Sequence, residues 1–171
     1  MFEGPSDRSP FSWLLALVLS VATTSALPAQ GGPALTVVGG AAGYDLSGDG
    51  TSWVAGAALE FVPASAIVIE PGARVFRYGP QFGPEVTYLL PEMSVQAQLP
   101  LGAIRPYLGG GAGGAFVVEG DASDELTLHA AVGARVRVDG RWSIRPELRL
   151  RSVDPWAGTL GDFTLGVTRR W

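Results

Sequence analysis

From residue 34 onward the chain alternates apolar with polar or small side chains at a period of two. No stretch sustains the 3.6-residue repeat of an amphipathic helix. The clearest run is the sixth, where Leu126, Leu128, Ala130, Val132, Ala134, Val136 and Val138 alternate with Thr127, His129, Ala131, Gly133, Arg135 and Arg137. The end of the chain repeats the pattern, with Phe163, Leu165, Val167 and Trp171 out of phase with Asp162, Thr164, Gly166, Thr168 and Arg170. Taken with their turn signals, these runs predict strands over residues 34 to 45, 51 to 62, 66 to 77, 86 to 98, 104 to 118, 126 to 138 and 142 to 151, and a last one that finishes the chain. The connections alternate as well. PASA, PLGA and DGR are short, whereas DLSGDGTS, YGPQFGPE, EGDASDE and SVDPWAGTLG are longer and more polar.

Eight strands bring both ends of a meander to one side. Several of them reach about 10 residues, which is what a tilted strand needs to cross a bilayer, whereas strands of soluble sheets average about 5 or 6. The expected fold is therefore all-β, an eight-stranded antiparallel transmembrane β-barrel with up-and-down meander topology occupying residues 34 to 171. Alternation alone also fits a soluble lipocalin-like barrel, and the charges separate the two. Glu60, Glu70, Arg74, Arg135, Arg137, Arg145, Glu147, Arg149 and Arg151 all fall on the minority face. Charges of both signs at that density suit a narrow, ion-paired interior in a closed sheet whose backbone groups are all paired. Aromatic residues near strand ends suggest two interfacial belts, with Trp53 toward the longer loops and Phe61, Tyr107 and Trp142 toward the short turns. Pro71 and Pro146 sit inside the expected strands, where a missing N–H invites a bulge.

Ahead of the barrel, FSWLLALVLSVATTSALPAQ is an apolar run ending in small residues. Residues 1 to 29 read as a signal peptide cut after Ala26 or Ala29, although Glu3 and Asp7 outnumber Arg8 where a leader is usually positive. The net charge of -4 provides no basic field for nucleic acid. With no cysteine, disulfides and thiolate metal sites are excluded, and no cofactor motif is present.

Candidate chemistry is sparse. His129 is the only histidine, and with Ser143 and Glu147 it suggests a hydrolytic triad. The phase of all three points inward, away from a membrane substrate, so His129 is expected in a polar interior and the chain is read as non-enzymatic. Asp45, Asp49, Glu119, Asp121, Asp124 and Glu125 cluster in loops and could meet calcium or divalent-bridged lipopolysaccharide, yet DLSGDG lacks the spacing of a calcium loop. The run GGGAGG at 109 to 114 is followed by neither the lysine nor the helix of a phosphate loop.

RPYLGGGAGGAF at 105 to 116, WSIRPELRLRS at 142 to 152 and the terminal Trp171 together resemble the small outer-membrane β-barrel proteins of Gram-negative-type bacteria, a group that includes eight-stranded porin-like and adhesion-like barrels. The resemblance runs from about Leu35 to Trp171. It implies an inward carboxylate at Glu147 and a role for Trp171 as the aromatic signal shown to the barrel assembly machinery. It also implies contact with periplasmic chaperones, outer-membrane lipids and lipopolysaccharide, and residence in the outer membrane. The expected role is structural or surface-interacting through the external loops, with a narrow porin-like channel or a soluble lipocalin-like binder as alternatives.

Overall fold

The computed structural model describes residues 32–44, 51–78, 85–120, 124–153 and 158–171; the expected signal peptide and the acidic residues Asp45, Asp49 and Asp121 lie outside them. Eight strands follow one another: β1 (Ala34–Tyr44), β2 (Thr51–Ala64), β3 (Ile67–Tyr78), β4 (Val86–Gln98), β5 (Ile104–Glu119), β6 (Glu125–Arg137), β7 (Trp142–Val153) and β8 (Gly158–Arg170). Each pairs antiparallel with its sequence neighbour, and β1 pairs with β8, so the sheet is a closed meander barrel. The strands run from 11 to 16 residues. The last two reach further than the sequence pattern indicated: β7 continues to Val153 and β8 begins at Gly158, because strand pairing continues to the Val153–Gly158 pair.

Following the register from Ala34 to Glu60, to Glu70 between the Ala58–Gly72 and Phe61–Ile69 pairs, and on through Ser94, Gly111, His129, Arg151 and Leu160 returns to β1 at Tyr44. The sheet therefore closes with a stagger of ten residues, from 34 to 44. A stagger of that kind goes with strands inclined by about 35–45° to the barrel axis, and with eight strands it leaves an interior only wide enough for side chains.

The prolines behave differently from expectation. Registers on either side of Pro71 and Pro146 are unchanged, so neither carries a bulge; the shifts occur instead between Phe61 and Ala64 on β2 and between Thr87 and Tyr88 on β4. A proline deletes its own ladder bond without inserting a residue, which leaves the flanking register intact.

Alternation sorts the side chains as a membrane requires. Leu148 is 46% exposed while its neighbour Arg149 is 0% exposed; Leu165 is 56% exposed and Thr164 0%. Val37, Val95, Leu108, Val132, Leu150 and Phe163 continue the outward apolar surface. The interior carries the charges, the inverse of a soluble barrel, and this excludes the lipocalin-like alternative. The inner face of β1 is made of small and uncharged side chains, Ala34, Thr36, Val38 and Ala42. Its charged counterparts come from other strands.

Candidate functional site

Five carboxylates (Glu60, Glu70, Glu92, Glu147, Asp162) and five guanidiniums (Arg74, Arg135, Arg145, Arg149, Arg151) are buried inside the barrel among the described residues. Their number balances, as it must where an unpaired ion costs several kcal/mol. Toward the short-turn end, Glu60 accepts from Arg135 Nε at 3.2 Å, from Arg145 Nη1 at 3.2 Å and from the Thr36 hydroxyl at 2.7 Å. The Thr36 and Thr168 hydroxyls are hydrogen-bonded at 2.7 Å, which ties β1 to β8. Glu70 pairs with Arg145, and Arg135 donates through Nη2 to Gln96 at 2.5 Å.

Further up, Arg74 reaches three carboxylates on three strands: Glu92 at 3.0 Å, Glu147 at 2.6 Å and Asp162 at 3.0 Å. Arg149 joins Glu92 to Glu147, while Arg151 holds Glu92 at 2.7 Å and lies 3.7 Å from Asp162. Above this tier, nearer the longer loops, Ala42, Val54, Phe76, Leu90, Ala115 and Leu160 form a buried apolar cluster inside the barrel, with Tyr88 packed against it. The lumen is thus filled by an ion-paired lower part and an apolar upper layer.

Two residues lie elsewhere than expected. Arg137 shares the inward phase of Arg135 but stands exposed at the end of β6, beyond the network, because phase fixes a side chain's direction and not its depth. Tyr107, expected in the interfacial belt, is 4% exposed and lies inside, donating its hydroxyl to Glu147 at 2.7 Å beneath the Arg135 guanidinium, 4.6 Å from the ring centroid. Glu92 and Asp162, absent from the expected network, belong to it. Asp162 could have been found from the alternation at the end of the chain, and Glu92 from its even spacing with Ser94 and Gln96.

Trp53, Phe61 and Trp142 face outward. Trp53 pairs with Ala41 and Arg77 near the longer loops, while Phe61 and Trp142 lie toward the short turns. Arg169 stacks over Trp142 with its guanidinium carbon 5.6 Å from the ring centroid. Trp171 is exposed at the same rim, its N–H directed to the Pro33 carbonyl at 3.4 Å. The β6–β7 turn is held by Asp139, whose carboxylate accepts the N–H groups of Arg141 at 2.6 Å and Trp142 at 2.8 Å. Those two bonds hold its pKa below the ordinary 3.8. In the β4–β5 turn Gly102 takes φ 69°, a left-handed conformation that glycine adopts without strain.

The residues suggested as a triad are separated. Ser143 pairs with Arg137 and Thr168 near the short-turn rim, whereas His129 lies opposite Arg151 and Gly111 well above it. His129 instead shares a hydrogen bond of 2.8 Å with Ser94 Oγ. Glu92 stands 3.8 Å from its Nδ1, too far for the hydrogen bond that orients a catalytic imidazole, and is already engaged by three arginines. The His129 side chain is 0% exposed.

The chain is a closed transmembrane β-barrel with a lipid-facing apolar surface and an ion-paired interior. This is the architecture of the small outer-membrane barrels. No protein-family model matches the chain, and no characterised protein matches it by sequence. Solved structures do. Neisserial surface protein A is 14% identical with a TM-score of 0.61 over 81% of this chain and 96% of that one. The attachment invasion locus protein of Yersinia pestis is 12% identical with a TM-score of 0.55 over 83% and 100%. A de novo designed transmembrane β-barrel is 17% identical with a TM-score of 0.51 over 82% and 96%. That a designed barrel shares the fold shows that the likeness concerns architecture and not activity.

Proposed function

We propose that the protein is a non-enzymatic outer-membrane barrel with a structural or surface-interaction role, carried by the longer loops at the rim opposite the chain's ends. One observation carries this reading: the fully buried side chains Arg145, Arg149, Arg151, Glu60, Glu147, Gln96 and Leu90 occupy the lumen. A solute crossing it would have to break paired charges, at about 3 to 5 kcal/mol for each pair broken. With the lumen filled, the polar surface left for contact outside the membrane includes the longer loops. A structural neighbour named for attachment supports this choice of class. In this reading Trp171 serves as the assembly signal, with the assembly machinery and periplasmic chaperones as transient partners and outer-membrane lipids and lipopolysaccharide as permanent ones.

The experiment compares cell attachment and conductance. Cells displaying the intact chain should bind surfaces or lipopolysaccharide more than cells displaying a version with its longer loops shortened to tight turns. The purified barrel should show no unitary conductance in planar bilayers. Steady single-channel steps would instead establish the narrow-channel alternative, and unchanged attachment after loop shortening would remove the surface role.

A further inference from the structure

The arginines at the short-turn mouth are left over from the balanced network. Arg105, Arg137, Arg141 and Arg170 line a cavity of about 280 Å³ at this end of the lumen, together with Arg135 at its floor. Among the described residues none of the four outer arginines forms an ion pair. The cavity's one carboxylate, Asp139, accepts the backbone N–H groups of Arg141 and Trp142 and offsets only the nearby Arg141 charge. Mutual repulsion of four cations at a mouth is unfavourable unless something negative is bound there.

A second observation points the same way. Arg135 is 5% exposed, and its Nε and Nη2 are used by Glu60 and Gln96, yet its Nη1 has no hydrogen-bond partner. A buried N–H of a cation left unmade is costly, and this one belongs to a side chain that lines the cavity. Guanidinium groups present paired N–H donors that match the oxygens of phosphate, and such charge-assisted bonds are the strong ones. A phosphate brings more oxygens and more negative charge than a single carboxylate to a ring of guanidiniums.

We propose that this mouth is a binding site for a phosphate-bearing anion, a free diphosphate-sized ion or a phospholipid head group, with Arg135 at its floor and Arg105, Arg137 and Arg170 around it. The site lies at the rim away from the longer loops and is independent of the role assigned to them.

The test uses the full chain, purified from outer membranes in detergent and exchanged into a phosphate-free buffer of low ionic strength. Sodium pyrophosphate is titrated calorimetrically, and native mass spectrometry follows the same protein offered phosphatidylglycerol or phosphatidylcholine. The expected result is saturable pyrophosphate binding, selective retention of phosphatidylglycerol, or both. Retention of the lipid alone assigns the head group, and pyrophosphate binding assigns a soluble source. Arg105→Gln with Arg137→Gln should weaken binding by about tenfold or more, while Arg77→Gln at the opposite rim should leave it unchanged. Heat-dependent gel mobility checks that each variant is folded, and Arg170→Gln replaces the pair if it is not. Absence of saturable binding of either probe, equal binding by the variants, or citrate binding as tight as pyrophosphate would overturn the proposal.

Discussion

Replacing Arg74 by leucine would leave five interior carboxylates facing four guanidiniums. Arg74 contacts Glu92, Glu147 and Asp162, and the loss is not shared equally. Glu92 keeps Arg149 and Arg151, and Glu147 keeps Arg149 with Arg145 at 3.8 Å, but Asp162 keeps only Arg151 at 3.7 Å. The uncompensated charge therefore settles on Asp162, and removing one partner of a buried pair costs about 3 to 5 kcal/mol. The second site follows from the same geometry. Both Arg74→Leu with Asp162→Leu and Arg74→Leu with Glu92→Leu restore the charge count, but only the first removes the weakly held carboxylate; the second leaves Asp162 with Arg151 alone at 3.7 Å and takes a close partner from Arg149 and Arg151, so it should recover less of the loss. Urea-induced unfolding of the barrel in lipid vesicles, followed by tryptophan fluorescence, gives the stabilities, and the two doubles form a direct comparison. A single-variant loss below about 1 kcal/mol, or a Glu92 double more stable than the Asp162 double, would refute the charge-balance reasoning.

Three further outcomes follow from other features. Leu148→Arg places a charge on the lipid face, next to Val132 and Phe163, and should cost about 2 to 4 kcal/mol in the same assay. Gly111→Ala would put a methyl against the Met93 carbonyl oxygen and within 2.7 Å of the His129 ring, while Gly39→Ala would meet nothing within 4 Å; the first should lose about 1 to 3 kcal/mol or more through overpacking and the second should fold as the parent does. Because folding lowers the Asp139 pKa below 3.8, its stabilisation is complete above that pH and fades as the pH falls through the lower folded value. Asp139→Asn should accordingly be less stable than the parent at neutral pH, with the difference shrinking below pH 3.8, as unfolding midpoints measured across acid pH will reveal.

Strand number, closure and the inward direction of most of the charges were legible because an interior held in a closed sheet leaves a period-two trace wherever side chains differ in polarity. β5 shows where that trace ends. Its glycines carry no side chain to mark a face, so nearness to a turn points Tyr107 to the lipid belt, whereas its hydroxyl reaches Glu147 inside. Arg137 shows a different limit, since alternation runs past the network to the rim unchanged. The pairing of Ser94 with His129 joins residues on strands that do not neighbour each other, and contacts across a lumen depend on the ten-residue stagger, which no single strand encodes. The prolines leave the register intact because the disturbance they cause is a missing bond and not an added residue.

The inner face of β1 has a bearing on how the ring comes apart. It contributes no charged group, and its described polar ties to the interior are those of the Thr36 hydroxyl. Peeling β1 from β8 would therefore sever backbone bonds and a hydroxyl contact while leaving every described ion pair formed among β2, β3, β4, β6, β7 and β8. The seam where the chain's first and last strands meet is in this sense a zip in the wall, and the electrostatic plug can be complete before it is drawn shut.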